Sequence, residues 1–168
     1  TSLFSRGELV AARAHQDHGR RLYDPQRHHI YAVLYSGHDP GVCCHYRAAP
    51  VLWLLGYPEQ AMASSQAAIA LARQLAHPYS LTQALYWAAV LHHLRREAPL
   101  AQECAEAAIT LGADQGFSGP SVAQARPLRG WALAACGHAE EGLAQLQQAL
   151  GSSRGRETIR DRAYHLSL

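Results

Sequence analysis

The stretch "AAPVLWLLGYPEQAMASSQAAIALARQL", Ala48 to Leu75, decides the fold because the chain repeats its pattern twice more. It aligns on central turns with "AAVLHHLRREAPLAQECAEAAITLGADQ" (88–115) and "RGWALAACGHAEEGLAQLQQALGSSRG" (129–155). Small residues then coincide before the turn at Ala49, Ala89 and Gly130, and after it at Ala61, Ala101 and Gly142. A third set follows at Ala68, Ala108 and Ala149. The interval from Ala61 to Ala101 is 40 residues, and from Ala101 to Gly142 it is 41. Two helices can approach closely only where side chains are small, so the repeating unit is a helical hairpin. A fixed period of this size marks a stacked array.

The turns agree with that reading. Gly56 and Gly137 are placed to end helices in the left-handed conformation, and Pro58 and Ala139 to open the next. Glu59, Glu140 and Glu141 follow in the first turn, where the helix dipole favours acids. The middle turn, "RREAP", has Pro99 but no glycine. These signals predict helices at about 7–22, 40–55, 58–76, 78–94, 97–115, 120–136, 139–150 and 156–168, with a short extra helix within 25–35. Pro127 falls inside the sixth and predicts a kink or a late start.

The expectation is an all-α, right-handed solenoid formed as one domain over 1–168. Its hairpins are at about 40–76, 78–115 and 120–150, with partial repeats at 7–22 and 156–168. The helix at 7–22 is expected to have no earlier partner. A chain that begins at Thr1 and ends in unpaired helices reads as a piece of a longer polypeptide.

Composition fits. Hydrophobic residues make up 48%, enough for a core at this length, and no apolar run approaches a membrane span. Every basic residue is arginine; there is no lysine, so P-loop and Schiff-base chemistry are excluded from this chain. The net charge of +2 is scattered among acids, unlike the concentrated stripe that neutralises phosphates, so neither nucleic acid nor membrane is an expected ligand. The 4 cysteines lack disulfide-framework spacing, which points to a reducing cytoplasm.

The period and the small-residue pattern resemble tetratricopeptide-type repeats, although 40 or 41 residues lies in the HEAT-like range and the Trp-x-x-Leu-Gly-x-x-Tyr start is not kept. Four phrases carry a closer resemblance: "LYSGHDPGV" (34–42), "LWLLGYPEQA" (52–61), "HPYSLTQALYWAAVLHHLRRE" (77–97) and "LRGWALAACGHAEEGLAQL" (128–146). They look like the C-terminal repeat region of bacterial multidomain signalling ATPases. In that family a class III adenylate/guanylate cyclase, a kinase or a winged-helix domain precedes an AAA- or STAND-type NTPase. The sequence departs from the family's pattern at "ARPLRG", where Pro127 interrupts the helix. The resemblance implies a non-catalytic regulatory or interaction arm without a cofactor. It would bind a protein or peptide, or serve as a spacer against the upstream domains of its own polypeptide.

Candidate chemistry was weighed residue by residue. His38, Asp39, Cys43, Cys44 and His45, with His28 and His29 upstream, suggest zinc ligands. Adjacent helical residues point about 100° apart, however, so Cys43 and Cys44 cannot share one ion once a helix has begun. Asp39 as N-cap and Pro40 in the first turn explain the same residues as a helix entry. "GSSRG" (151–155) matches a nucleophile elbow at Ser153, with Asp161 and His165 in hydrolase order, but it follows a helix where the elbow needs a strand. Neither His15 with His18 nor His92 with His93 forms a His-Glu-x-x-His pair.

No catalytic or metal-binding residue is therefore expected. By helix register, Cys43, Tyr46, Trp53, Gln83, Tyr86, His93, Gln124 and Trp131 form a partner-binding groove, or else the aromatics among them are core between hairpins. A carboxylate clamp of basic and amide side chains is missing from that set. A bound peptide would therefore be held by aromatic packing more than by charge.

Overall fold

A computed structural model of the chain describes residues 2–32, 34, 37–116 and 119–152. Among them are nine helices and no strand: α1 (Ser2–Ser5), α2 (Leu9–Leu22), α3 (Pro25–His28), α4 (Pro40–Leu54), α5 (Pro58–Gln74), α6 (Pro78–Leu94), α7 (Ala98–Asp114), α8 (Pro120–Ala135) and α9 (Ala139–Ser152). The all-α helical-hairpin reading holds, and helices α4 to α9 begin and end within about two residues of their expected bounds. The helix expected at 156–168 lies outside the described residues.

Six of the 8 prolines stand in the first turn of a helix, at Pro25, Pro40, Pro58, Pro78, Pro99 and Pro120. A missing N–H costs nothing there, because the first-turn donors have no partner within the helix. The other two, Pro50 and Pro127, sit inside α4 and α8. The late start expected for the sixth helix does not occur: α8 runs unbroken from Pro120 through Pro127. The carbonyl that Pro127 cannot bond belongs to Ala123, an exposed residue.

Each hairpin turn closes in one way. The residue after the helix takes a left-handed conformation, at Gly56 (φ 83°), Arg96 (φ 61°) and Gly137 (φ 99°). The next N–H then reaches back five residues, Tyr57 to Leu52 (2.9 Å), Glu97 to His92 (3.0 Å) and His138 to Leu133 (2.9 Å). This is the Schellman closure, which satisfies carbonyls the helix end leaves open. The same closure recurs at Ala76 (φ 47°), where His77 N donates to Ala72 O at 3.2 Å, and at Gly7 (φ 77°), where Glu8 N donates to Leu3 O at 3.0 Å. The closure at Gly7 corrects the expectation that the helix at 7–22 has no earlier partner. α1 ends as α4, α6 and α8 do and packs on α2.

All nine repeat positions with small residues are buried. The helices of each pair pack together, α4 with α5, α6 with α7 and α8 with α9. In the third pair the helices meet at two glycines. A Cβ added to Gly142 would lie 2.5 Å from the Gly130 carbonyl oxygen, and one added to Gly130 would lie 2.9 Å from that of Gly142.

Neighbouring pairs stack through their first helices, α4 on α6 and α6 on α8, and through α5 on α6 and α7 on α8. α2 covers the free side of α4. α6 is therefore enclosed on most sides, and Ala84 to His92 are all buried. This explains why α6 lacks the polar stripe of a surface helix.

Candidate functional site

The first helices of the pairs, α4, α6 and α8, form one inner layer, and the structure sorts the eight register-selected residues into two groups. Tyr46, Tyr86 and Trp131 are 1%, 6% and 8% exposed, which makes them core between helices. Cys43, Trp53, Gln83, His93 and Gln124 are partly exposed.

Aromatic contacts join the layer from helix to helix. Tyr46 of α4 stacks on Trp87 of α6 with centroids 6.1 Å apart, and His93 of α6 meets Trp131 of α8 edge-on at 4.4 Å. The Arg95 guanidinium lies 5.4 Å from the Trp53 ring centre. Arg95 also bonds Glu97 at 2.9 Å, and His92 Nδ1 lies 2.7 Å from the same carboxylate. These contacts, the Arg95 hydrogen bond foremost, hold the Glu97 carboxyl down at about 2. Trp87, which the register did not select, thus joins α4 to α6. Its signal was present only in the next position along the helix.

The stretch Leu34–Pro50 resolves into a helix entry. Asp39 is fully buried, and its Oδ1 accepts from Val42 N at 3.0 Å, capping α4. Its Oδ2 accepts from the Tyr23 hydroxyl at 2.8 Å and lies 3.0 Å from His29 Nδ1. Burial first, then the Asp39 carboxylate, drive the Tyr23 hydroxyl well above its usual range. Asp39 N donates to Ser80 Oγ at 2.8 Å, and Ser80 Oγ lies 2.9 Å from His77 Nδ1.

Ser80 N also donates to His77 Nδ1, at 3.3 Å, so that nitrogen is an acceptor and the ring is neutral. Burial, then neighbouring His29, keep His77 below its ordinary value. Five side chains therefore tie the segment after α2 to the starts of α4 and α6. Ser80 is fully buried and engaged on both sides, which fits a latch and not an exposed nucleophile. Among the described residues, no three of His, Cys, Asp and Glu are placed to hold one metal ion. Ser153, Asp161 and His165 lie outside the described residues.

Cys43 and Cys44 point into different surroundings. Cys44 Sγ sits where a Cβ on Gly19 of α2 would be, 2.6 Å from it, and burial raises this thiol to about 11. For Cys43, burial acts upward, but hydrogen bonds to His38 and Tyr46 and the charges of His38 and Arg47 bring the thiol below its ordinary value. Both cysteines border a half-open pocket of about 160 Å³ between α1, α2, α4 and α6.

Comparison with protein-family models, with curated proteins and with solved structures gives no match to this chain. Among the described residues no helix is long and apolar enough to cross a membrane. What the chain does is therefore argued from its geometry and from the resemblance of its repeats.

Proposed function

We propose that the chain is a non-catalytic interaction or regulatory module, a tetratricopeptide-like solenoid whose inner face receives a protein or peptide segment. The observation that carries this reading is the asymmetry of the stack. Consecutive first helices pack directly on one another, whereas consecutive second helices, α5, α7 and α9, have at most marginal contact among the described residues. A layer closed on one side and splayed on the other curves, and curvature of that kind gives helical arrays an extended concave surface. Trp53, Gln83, His93 and Gln124 are the partly exposed side chains such a face would present.

The wording of the repeats supports a place in a bacterial cytoplasmic signalling ATPase, where the bound segment would belong to a partner or to upstream domains of the same polypeptide. Peptide selection against the purified chain tests the reading. Selected peptides should lose binding by about tenfold with Trp53→Ala, the loss typical of one aromatic anchor, while helix content stays unchanged. Binding indifferent to Trp53, Gln83 and His93 substitutions would sink it.

A further inference from the structure

We propose that the groove between α5 and α7 docks an amphipathic helix of a partner protein, one that lowers an apolar stripe into the groove and carries an acid for Arg73 and a base for Glu103. The groove is open to solvent, measures about 330 Å³, within the range of ligand sites, and lies among the second helices, away from the inner layer. The proposal is independent of what the inner face receives.

The flanking spaces show what this groove lacks. α2 and α5 are joined by Arg13 to Gln60 at 3.0 Å and by Arg20 to Ser64 at 3.3 Å. α7 and α9 are joined through Arg129 of α8, which donates to Glu106 at 3.0 Å and to Gln145 at 3.1 Å. Ser64 and Gln145 hold the same place in the repeat, and the residue between them, at intervals of 40 and 41, is Cys104. Among the described residues, no side-chain hydrogen bond or ion pair joins α5 to α7. Burial raises the Cys104 thiol to about 11, so at neutral pH it is uncharged and adds to an apolar lining of Ile69, Ala70, Leu85 and Ala107.

The form of the occupant follows from the walls. Gln66, Ile69, Ala70 and Arg73 line the groove at i, i+3, i+4 and i+7, two turns along one face of α5 or about 10 Å. Rows of this kind are the ridges between which a second helix seats its own. The wall helices have already paired their backbone groups internally, so an extended segment laid there would find no partners for its N–H and C=O groups. A helix brings its own. Arg73 and Glu103 are exposed, stand on opposite walls and form no ion pair among the described residues. A partner with one charge of each sign meets both, whereas a uniformly charged one is drawn to one wall and repelled by the other. Exposed pairs add little affinity, so the apolar stripe holds the helix and the charges select it.

Three synthetic alanine-based peptides of about 18 residues, long enough to be helical, are the probes. Each carries a leucine stripe, with flanks that are mixed (glutamate on one side, arginine on the other), all glutamate or all arginine. Titration followed by methyl NMR should shift the Ile69, Leu85 and Ala107 signals. The mixed peptide should bind about fivefold tighter than either uniform one, the worth of one exposed attraction gained and one repulsion avoided. Arg73→Glu makes both walls acidic and should move the preference to the all-arginine peptide. Ala107→Arg should weaken all three about tenfold by laying a side chain across the groove, with helix content intact. Should that variant disturb the fold, the ranking on the unaltered chain and the Arg73→Glu result decide. A mixed peptide with a central proline, which breaks its helix, should not bind. No shift at Ile69, Leu85 and Ala107 at millimolar peptide, equal binding of the three peptides with no response to Arg73→Glu, or undiminished binding of the proline version would each overturn the proposal. So would self-association of the chain through these residues.

Discussion

Replacing Gly142 by alanine tests the packing argument most directly, because two effects of opposite sign compete at that position. In an exposed helix the change would stabilise by about 1 kcal/mol through backbone entropy. Here the new Cβ would sit 2.5 Å from Gly130 O, 2.6 Å from Ala134 N and 2.8 Å from Ala134 Cβ. Two of those three atoms belong to the backbone of α8, which no side-chain rotation can move aside. α8 and α9 must therefore separate by about 1 Å to restore normal contacts, and overpacking of this kind costs about 1–3 kcal/mol. With backbone atoms in the way the upper part of that range applies, leaving a net loss of about 1–2 kcal/mol after the propensity gain. For a chain of this length, that lowers the melting temperature by roughly 2–8 °C.

Thermal unfolding followed by circular dichroism reads the shift. The equivalent position in α7 supplies the control. Ala101→Gly, which removes a fully buried methyl and adds backbone freedom, should also destabilise, by about 1–2 kcal/mol. A Gly142→Ala protein that melts higher than the parent would refute the idea that the third hairpin is closed by glycine-to-glycine contact.

Three further outcomes follow from the geometry. Arg96 holds φ 61° without being glycine, so Arg96→Gly should raise stability by about 0.5–1 kcal/mol, seen as a higher urea midpoint. His77, His45 and His93 all lie below the ordinary histidine value, chiefly because burial disfavours the charged ring. The unfolded chain then binds more protons below about pH 6.5, so stability should be full above that pH and fall as pH drops below it. His77→Asn, which can still cap α6, should flatten that slope in urea titrations at several pH values. Finally, iodoacetamide at neutral pH should label Cys43 ahead of Cys44 and Cys104, whose thiols burial raises to about 11, and His38→Ala should slow the Cys43 reaction in a mass-spectrometric time course.

Much of the fold was legible in the sequence because the repeat is written in residues whose constraints are local. Proline in the first turn, glycine at a left-handed cap and small residues at a fixed period each state where a helix begins, ends or meets another. Asp39 and Pro40 likewise announced the start of α4, which turned a suspected ligand cluster into a helix entry. The exceptions are positions where tertiary contact overrode local preference. Arg96 takes a left-handed conformation because the hairpin needs the turn there, and Pro127 is tolerated inside α8 where the carbonyl it strands belongs to an exposed residue.

The site was less legible. Register placed Tyr46, Tyr86 and Trp131 on the inner helices, but a helix's angular pattern does not say how far its neighbour leans over it. The tertiary structure decided that these rings are core, that Trp87 couples α4 to α6, and that Asp39, His29, Tyr23, Ser80 and His77 form one latch. It also brought Gln16 of α2 beside Arg47 of α4, residues 31 positions apart. The sequence by itself determined the helices and their pairing, since those depend on neighbours along the chain. How helices from separate parts of the chain converge depends on side chains far apart in sequence, and only packing in three dimensions settles that.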